Sequence, residues 1–163
     1  MIAFARGITA VNRTLFTGAT WLVYAIVLLM LWEVFSRYTL SAPTSWAPEL
    51  ATLIFGPFFL LGGPYLLHLG GHVAVDVLSE RASGRTALVL TLIGLLLAAI
   101  FGAILVWFSV PLAWQSFLYR ETSYSGWNPQ IWPTKVFLPV AAAMLSLQAL
   151  ADAVFALSGS EVK

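Results

Sequence analysis

Residues 14–32, 50–75, 86–119 and 136–151 contain no Asp, Glu, Lys or Arg at all. A hydrocarbon core about 30 Å thick needs roughly 20 mostly apolar residues as helix, and three of these runs meet or nearly meet that length alone. The last does so if it continues past Asp152 to about Leu157. In lipid, backbone N–H and C=O groups must be bonded within the protein, which leaves helices and closed barrels. The runs lack the period-two alternation of barrel strands. The expected fold is all-α and integral to a membrane. It is read as a single membrane domain over residues 1–163, with four transmembrane helices at about 14–36, 46–69, 86–110 and 134–157.

Composition closes off the main alternatives. Hydrophobic residues make up 60% and charged residues only 9%, against about 25% charged in soluble domains. A net charge of +1 and the absence of a Lys/Arg cluster give no footprint for nucleic acid. With no cysteine there is no disulfide, thiolate metal site or cysteine nucleophile. Arg6 and Arg13 precede the first apolar run as in a signal peptide, but that run exceeds the usual 7–15 residues of such a segment, so it is read as an uncleaved first span. At 100° per residue Phe4, Ile8, Val11 and Leu15 share one face opposite those arginines. That pattern predicts a short N-terminal interfacial amphipathic helix before span one.

The polar residues gather at the span ends. Glu33 and Arg37 stand at i,i+4, acid first, which favours a helical pair. Pro43 lies in the following loop, with Thr44 or Ser45 as N-cap. Trp46 then opens span two, and Glu49 in its first turn suits the positive end of the helix dipole. Glu33, Arg37 and Glu49 are therefore expected together at one end. Gly62-Gly63-Pro64 predicts a kink. His68, His72 and Asp76 would align as metal ligands on one helix, but Gly70-Gly71 interrupts them, and ordering of a loop is the better reading.

Gly94, Ala98 and Gly102 form a small-residue ladder on span three, the pattern of close helix contact. That span either tilts strongly or continues beyond the membrane after a break near Pro111. Trp107, Trp114, Trp127 and Trp132 suit the aromatic belt, and Ala142, Ser146, Ala149 and Ala153 make a second small face. Gln148 and Asp152, at i,i+4, are either an end-of-span cap or a polar patch facing a partner. Five basic residues (Arg6, Arg13, Arg81, Arg85, Lys163) against three (Arg37, Arg120, Lys135) favour cytoplasmic termini. No catalytic constellation, phosphate loop or cofactor motif is present, so neither an enzyme nor a cofactor is expected.

Several segments together carry a family resemblance: Glu33-Val34-Phe35-Ser36-Arg37-Tyr38, Trp46 with Glu49, Gly71-His72-Val73-Ala74-Val75-Asp76, Trp127-Asn128-Pro129, Trp132-Pro133-Thr134-Lys135, Pro139 and Leu147-Gln148. In this order, with these spans, the chain resembles the small membrane subunit of tripartite ATP-independent periplasmic (TRAP) transporters, the DctQ-like family. It departs from that pattern at Leu67-His68-Leu69, where a basic residue is usual, and at Val140, where glycine is common. The resemblance implies a bacterial inner-membrane protein with both termini cytoplasmic. Its partners would be a large multi-span subunit holding the substrate and sodium sites and a periplasmic substrate-binding protein. The small chain would scaffold uptake of an organic acid or similar solute. The alternative is a self-contained homo-oligomeric channel or exporter.

Overall fold

The computed structural model describes residues 1–70 and 84–159. Four helices account for most of them: α1 Ile2–Thr39, α2 Trp46–His68, α3 Arg85–Leu118 and α4 Trp132–Ser158. All four are long and apolar enough to cross a membrane. Among the described residues the extended structure is an isolated bridge between Thr122 and Gln130.

The N-terminal turns expected as a separate interfacial element run without a break into span one, giving one helix of 38 residues. At 1.5 Å per residue it is about 57 Å long, nearly twice the hydrocarbon core. α3 likewise continues through Pro111 for 34 residues, or about 51 Å. Fitting all of it inside 30 Å would need a tilt of about 54°, beyond the observed 0–40°. Part of α3 therefore stands outside the hydrocarbon, and no break at Pro111 is required. α2 is also continuous through Pro57 and Pro64.

α1, α2 and α4 pack on one another, while α3 touches α4 and neither of the other two. The buried side chains are mostly small: Ala5 and Ala19 on α1, Ala47 and Ala51 on α2, Ala99 and Ala113 on α3, and Ala141, Ala142, Ala149 and Ala151 on α4. Lipid tails are as apolar as leucine, so burying bulk gains little; close backbone approach and interhelical hydrogen bonds decide the packing. That logic also explains the N-terminal turns. Their buried stripe is Ala5, Thr9 and Asn12, which let α4 approach, whereas Phe4 and Val11 of the expected apolar face point outward.

At the α3–α4 seam, a Cβ on Gly102 would lie 2.8 Å from the Ala142 carbonyl oxygen and 3.2 Å from the Ser146 nitrogen. Only glycine fits there. Ser146 Oγ donates within this contact, 3.1 Å from the Ala99 carbonyl oxygen and 3.2 Å from that of Ala142. Gly94 and Ala98 are half-buried, and the buried line instead runs Ala99, Gly102, Ser109, Ala113, Ser116. A strict i,i+4 ladder drifts about 40° per step around a 3.6-residue helix, so steps of three and four are needed to stay on one neighbour.

Candidate functional site

Two polar clusters mark opposite ends of the bundle. The first joins the start of α1 to the ends of α2 and α4. Gln148, 0% exposed, accepts at Oε1 from Asn12 Nδ2 at 2.8 Å. Its Nε2 lies 3.0 Å from Thr9 Oγ1 and 2.9 Å from Asp152 Oδ1, so both polar ends of the amide are used. Asp152 Oδ1 is also 2.6 Å from His68 Nδ1, which ties α2 to α4. Phe155 and Tyr65 pack beside the imidazole, with ring centroids 6.2 and 6.0 Å away. Asn12 Oδ1 and Asp152 Oδ2 are buried without a hydrogen-bond partner among the described residues.

This arrangement corrects two expectations. Gln148 and Asp152 form neither a terminal cap nor an outward patch, because they face α1 and α2 of the same chain. His68 serves as a helix-to-helix tie rather than a loop-ordering group; His72 and Asp76 lie outside the described residues. Among the described residues no group of three or more His, Cys, Asp or Glu is placed to hold a metal.

The second cluster lies where α1 ends and α2 begins. The Glu33 carboxylate is buried, 3% exposed. It accepts from Arg37, from the Thr44 hydroxyl, and from the Thr44 backbone N–H at 3.0 Å. Thr44 is thus fastened to α1, while Ser45 stands at the N-cap of α2 without a side-chain cap bond. Glu49 departs from expectation. Both its carboxylate oxygens lie 2.6 Å from Ser125 Oγ, and no ion pair joins it to Arg37 among the described residues. Glu33 and Arg37 make one cluster, and Glu49 anchors the α3–α4 loop.

That loop is held at many points. Ser125 Oγ also accepts from the Asn128 N–H at 3.0 Å, and Asn128 Oδ1 from the Tyr124 N–H at 3.0 Å. The Pro129 carbonyl accepts from the Ser123 N–H at 3.0 Å. Lys135 pairs with Glu121 and holds that carboxyl below the usual range. Pro133 sits in the first turn of α4, where a missing N–H costs nothing. Trp132 meets Phe117 edge to face at 5.0 Å, and Trp46 is partly exposed where α2 starts.

Asn12, Thr9 and Ser125 were not singled out by sequence reasoning, and Thr44 was read only as a candidate N-cap, whereas it bonds the Glu33 carboxylate. Asn12 and Thr9 carried a usable signal, being polar on the small-residue face of a membrane helix. Ser125 carried none, since loop hydroxyls are common.

Four membrane-length helices, with one polar cluster tying α1, α2 and α4 and another tying α1 to the start of α2, define a multi-pass membrane protein whose polar side chains connect helices. Comparison with known proteins makes the assignment specific. The profile of the DctQ component of tripartite ATP-independent periplasmic transporters matches residues 26–159, and the chain belongs to this family. It is also similar to the sialic acid TRAP transporter small permease protein SiaQ of Vibrio cholerae, 32% identical over 87 residues. That alignment covers 52% of this chain and 50% of the relative, so the matched segment spans about half the length of each.

Proposed function

We propose that the chain is the non-catalytic small membrane subunit of a TRAP-type secondary transporter. It scaffolds a large multi-span subunit that carries the substrate and sodium sites. A periplasmic substrate-binding protein delivers the solute, and the assembly resides in the bacterial inner membrane with both termini of this chain cytoplasmic. The observation that carries this reading is the use of buried polar groups. Gln148, Asn12, Thr9, His68 and Asp152 bond one helix to another, as Glu33 does with the start of α2.

A transporter core needs polar groups near the midplane, often on broken helices. Here Asp, Glu, Lys, Arg and His residues stand toward the helix ends, and all four helices are continuous. Sialic acid, named for the Vibrio protein, is a carboxylic acid, which supports an organic acid as the class of solute. Proteoliposomes decide the matter. This chain alone, with binding protein, substrate and a sodium gradient, should show no uptake, and adding the large subunit should produce it. Uptake by this chain alone would instead establish the self-contained channel or exporter.

A further inference from the structure

Where α3 ends and α4 begins, a cavity of about 360 Å³ is lined by Phe117, Leu118, Arg120, Gln130 and Trp132. Phe117 also lines a second cavity of about 370 Å³, walled by Val110, Ala113, Trp114, Val136 and Pro139. The lining of the first includes a cation and an amide; the second is entirely apolar. From Arg120 to Val110 the path along α3 is about 15 Å, half the thickness of a 30 Å hydrocarbon core and so one leaflet deep. Trp132 lines the first cavity and exposed Trp114 the second, the residue type that collects in the aromatic belt at headgroup level.

From this geometry we infer that the α3–α4 groove binds one phospholipid, its phosphate on Arg120 and Gln130 and an acyl chain along the apolar wall. Trp132 Nε1 donates to Gln130 Oε1 at 2.8 Å. An indole nitrogen can only donate, so the oxygen of this amide faces the tryptophan and its NH2 is turned toward other acceptors. Arg120 enters no ion pair among the described residues, because the neighbouring Glu121 is taken by Lys135. A cation and an amide donor are therefore available for a phosphate oxygen.

The backbone at Arg120 supplies an independent reason. Arg120 N–H donates to the Phe117 carbonyl at 3.2 Å and Glu121 N–H to that of Ser116 at 3.0 Å, the two bonds of a Schellman helix end. Arg120 occupies its left-handed position with φ 46°, where glycine is the usual residue. Helix geometry alone would favour glycine. A strained non-glycine residue is a pointer to function, and here the side chain it brings is the cation of the groove.

Native mass spectrometry of the full chain tests this, in dodecyl maltoside doped with dioleoyl phosphatidylglycerol. The wild type should retain one phospholipid, and Arg120→Gly should cut occupancy at least tenfold at the same lipid concentration. Gln130→Leu should reduce it severalfold, and Arg120→Lys should keep most of it. Dioleoylglycerol, with the same chains and no phosphate, should not be retained, and inorganic phosphate should not raise the thermal midpoint. In lipid-free detergent, Arg120→Gly should melt at or above the wild type because the left-handed strain is relieved. Equal retention by wild type and Arg120→Gly, equal binding of dioleoylglycerol, or stabilisation by phosphate alone would each overturn the proposal. Should Arg120→Gly fail to fold, the ordering of wild type, Arg120→Lys and Gln130→Leu decides it.

Discussion

Asn12 donates to Gln148 at 2.8 Å, joining two buried side chains 136 positions apart in sequence. Along α1, Asn12 is about 32 Å from Glu33, the centre of the opposite cluster. That separation matches the thickness of the hydrocarbon core. The two clusters bracket the apolar slab, each near the depth at which polar side chains become affordable.

The Asn12–Gln148 bond should be measurable by a double-mutant cycle with Asn12→Leu and Gln148→Leu, read by thermal unfolding in mild detergent. Interhelical polar pairs in membranes average about 0.6 kcal/mol and reach about 1.7. We expect a coupling in that range, in its upper part because both residues are fully enclosed. A coupling indistinguishable from zero would show that the two amides bond elsewhere in solution.

The α3–α4 seam predicts an order of sensitivity. Gly102→Ala brings a methyl against the Ala142 carbonyl and should cost about 1–3 kcal/mol by overpacking. Gly94→Ala, at a half-buried position, should cost less, and Ala98→Leu should fall between them. If Gly94→Ala is as damaging as Gly102→Ala, the closest approach of the helices lies elsewhere.

Arg37 and Glu49 should act independently. A cycle pairing Arg37→Ala with Glu49→Ala should give no coupling, because each residue has a different partner. The cycle pairing Glu33→Gln with Thr44→Val should couple, since the Thr44 hydroxyl binds the buried carboxylate. The reverse result would place Arg37 between the two acids.

Glu121 makes the α3–α4 loop sensitive to acid. Its folded pKa lies below the ordinary value of 4.5, chiefly through the Lys135 hydrogen bond. The ordering it contributes is therefore present above about pH 4.5 and lost as pH falls through the lower folded value. The protection factor of the Ile131 amide, which donates to the Glu121 carbonyl at 2.9 Å, should fall in acid once the intrinsic base-catalysed exchange rate is divided out. In Glu121→Gln the acid step should vanish.

Opposite ends of the bundle should face opposite sides of the membrane. In intact spheroplasts an impermeant thiol reagent should label Gly126→Cys and spare Ala3→Cys, if the termini are cytoplasmic. The reversed pattern would invert the orientation, and labelling of both would contradict the four-span arrangement.

The number of helices and their membrane setting were determined by the sequence itself, because a charge-free run of bilayer length has few alternatives once every backbone group must be bonded internally. The positions of the polar residues near helix ends were legible for the same reason. Partner choice was not. Glu49 meeting Ser125, His68 meeting Asp152, and Asn12 meeting Gln148 depend on which helices are neighbours, and apolar exteriors of similar composition carry little information about that. Helix continuity was also not legible where local signals competed with it: the N-terminal turns run on as α1, and α3 continues as expected but passes Pro111 without a break. Only the tertiary structure decided which small side chains face a neighbour: Ala99 and Gly102 rather than Gly94 and Ala98 on α3, and Ala5 with Thr9 and Asn12 on α1. In a hydrocarbon solvent the larger apolar side chain gains nothing by burial, whereas two backbones gain by approaching each other.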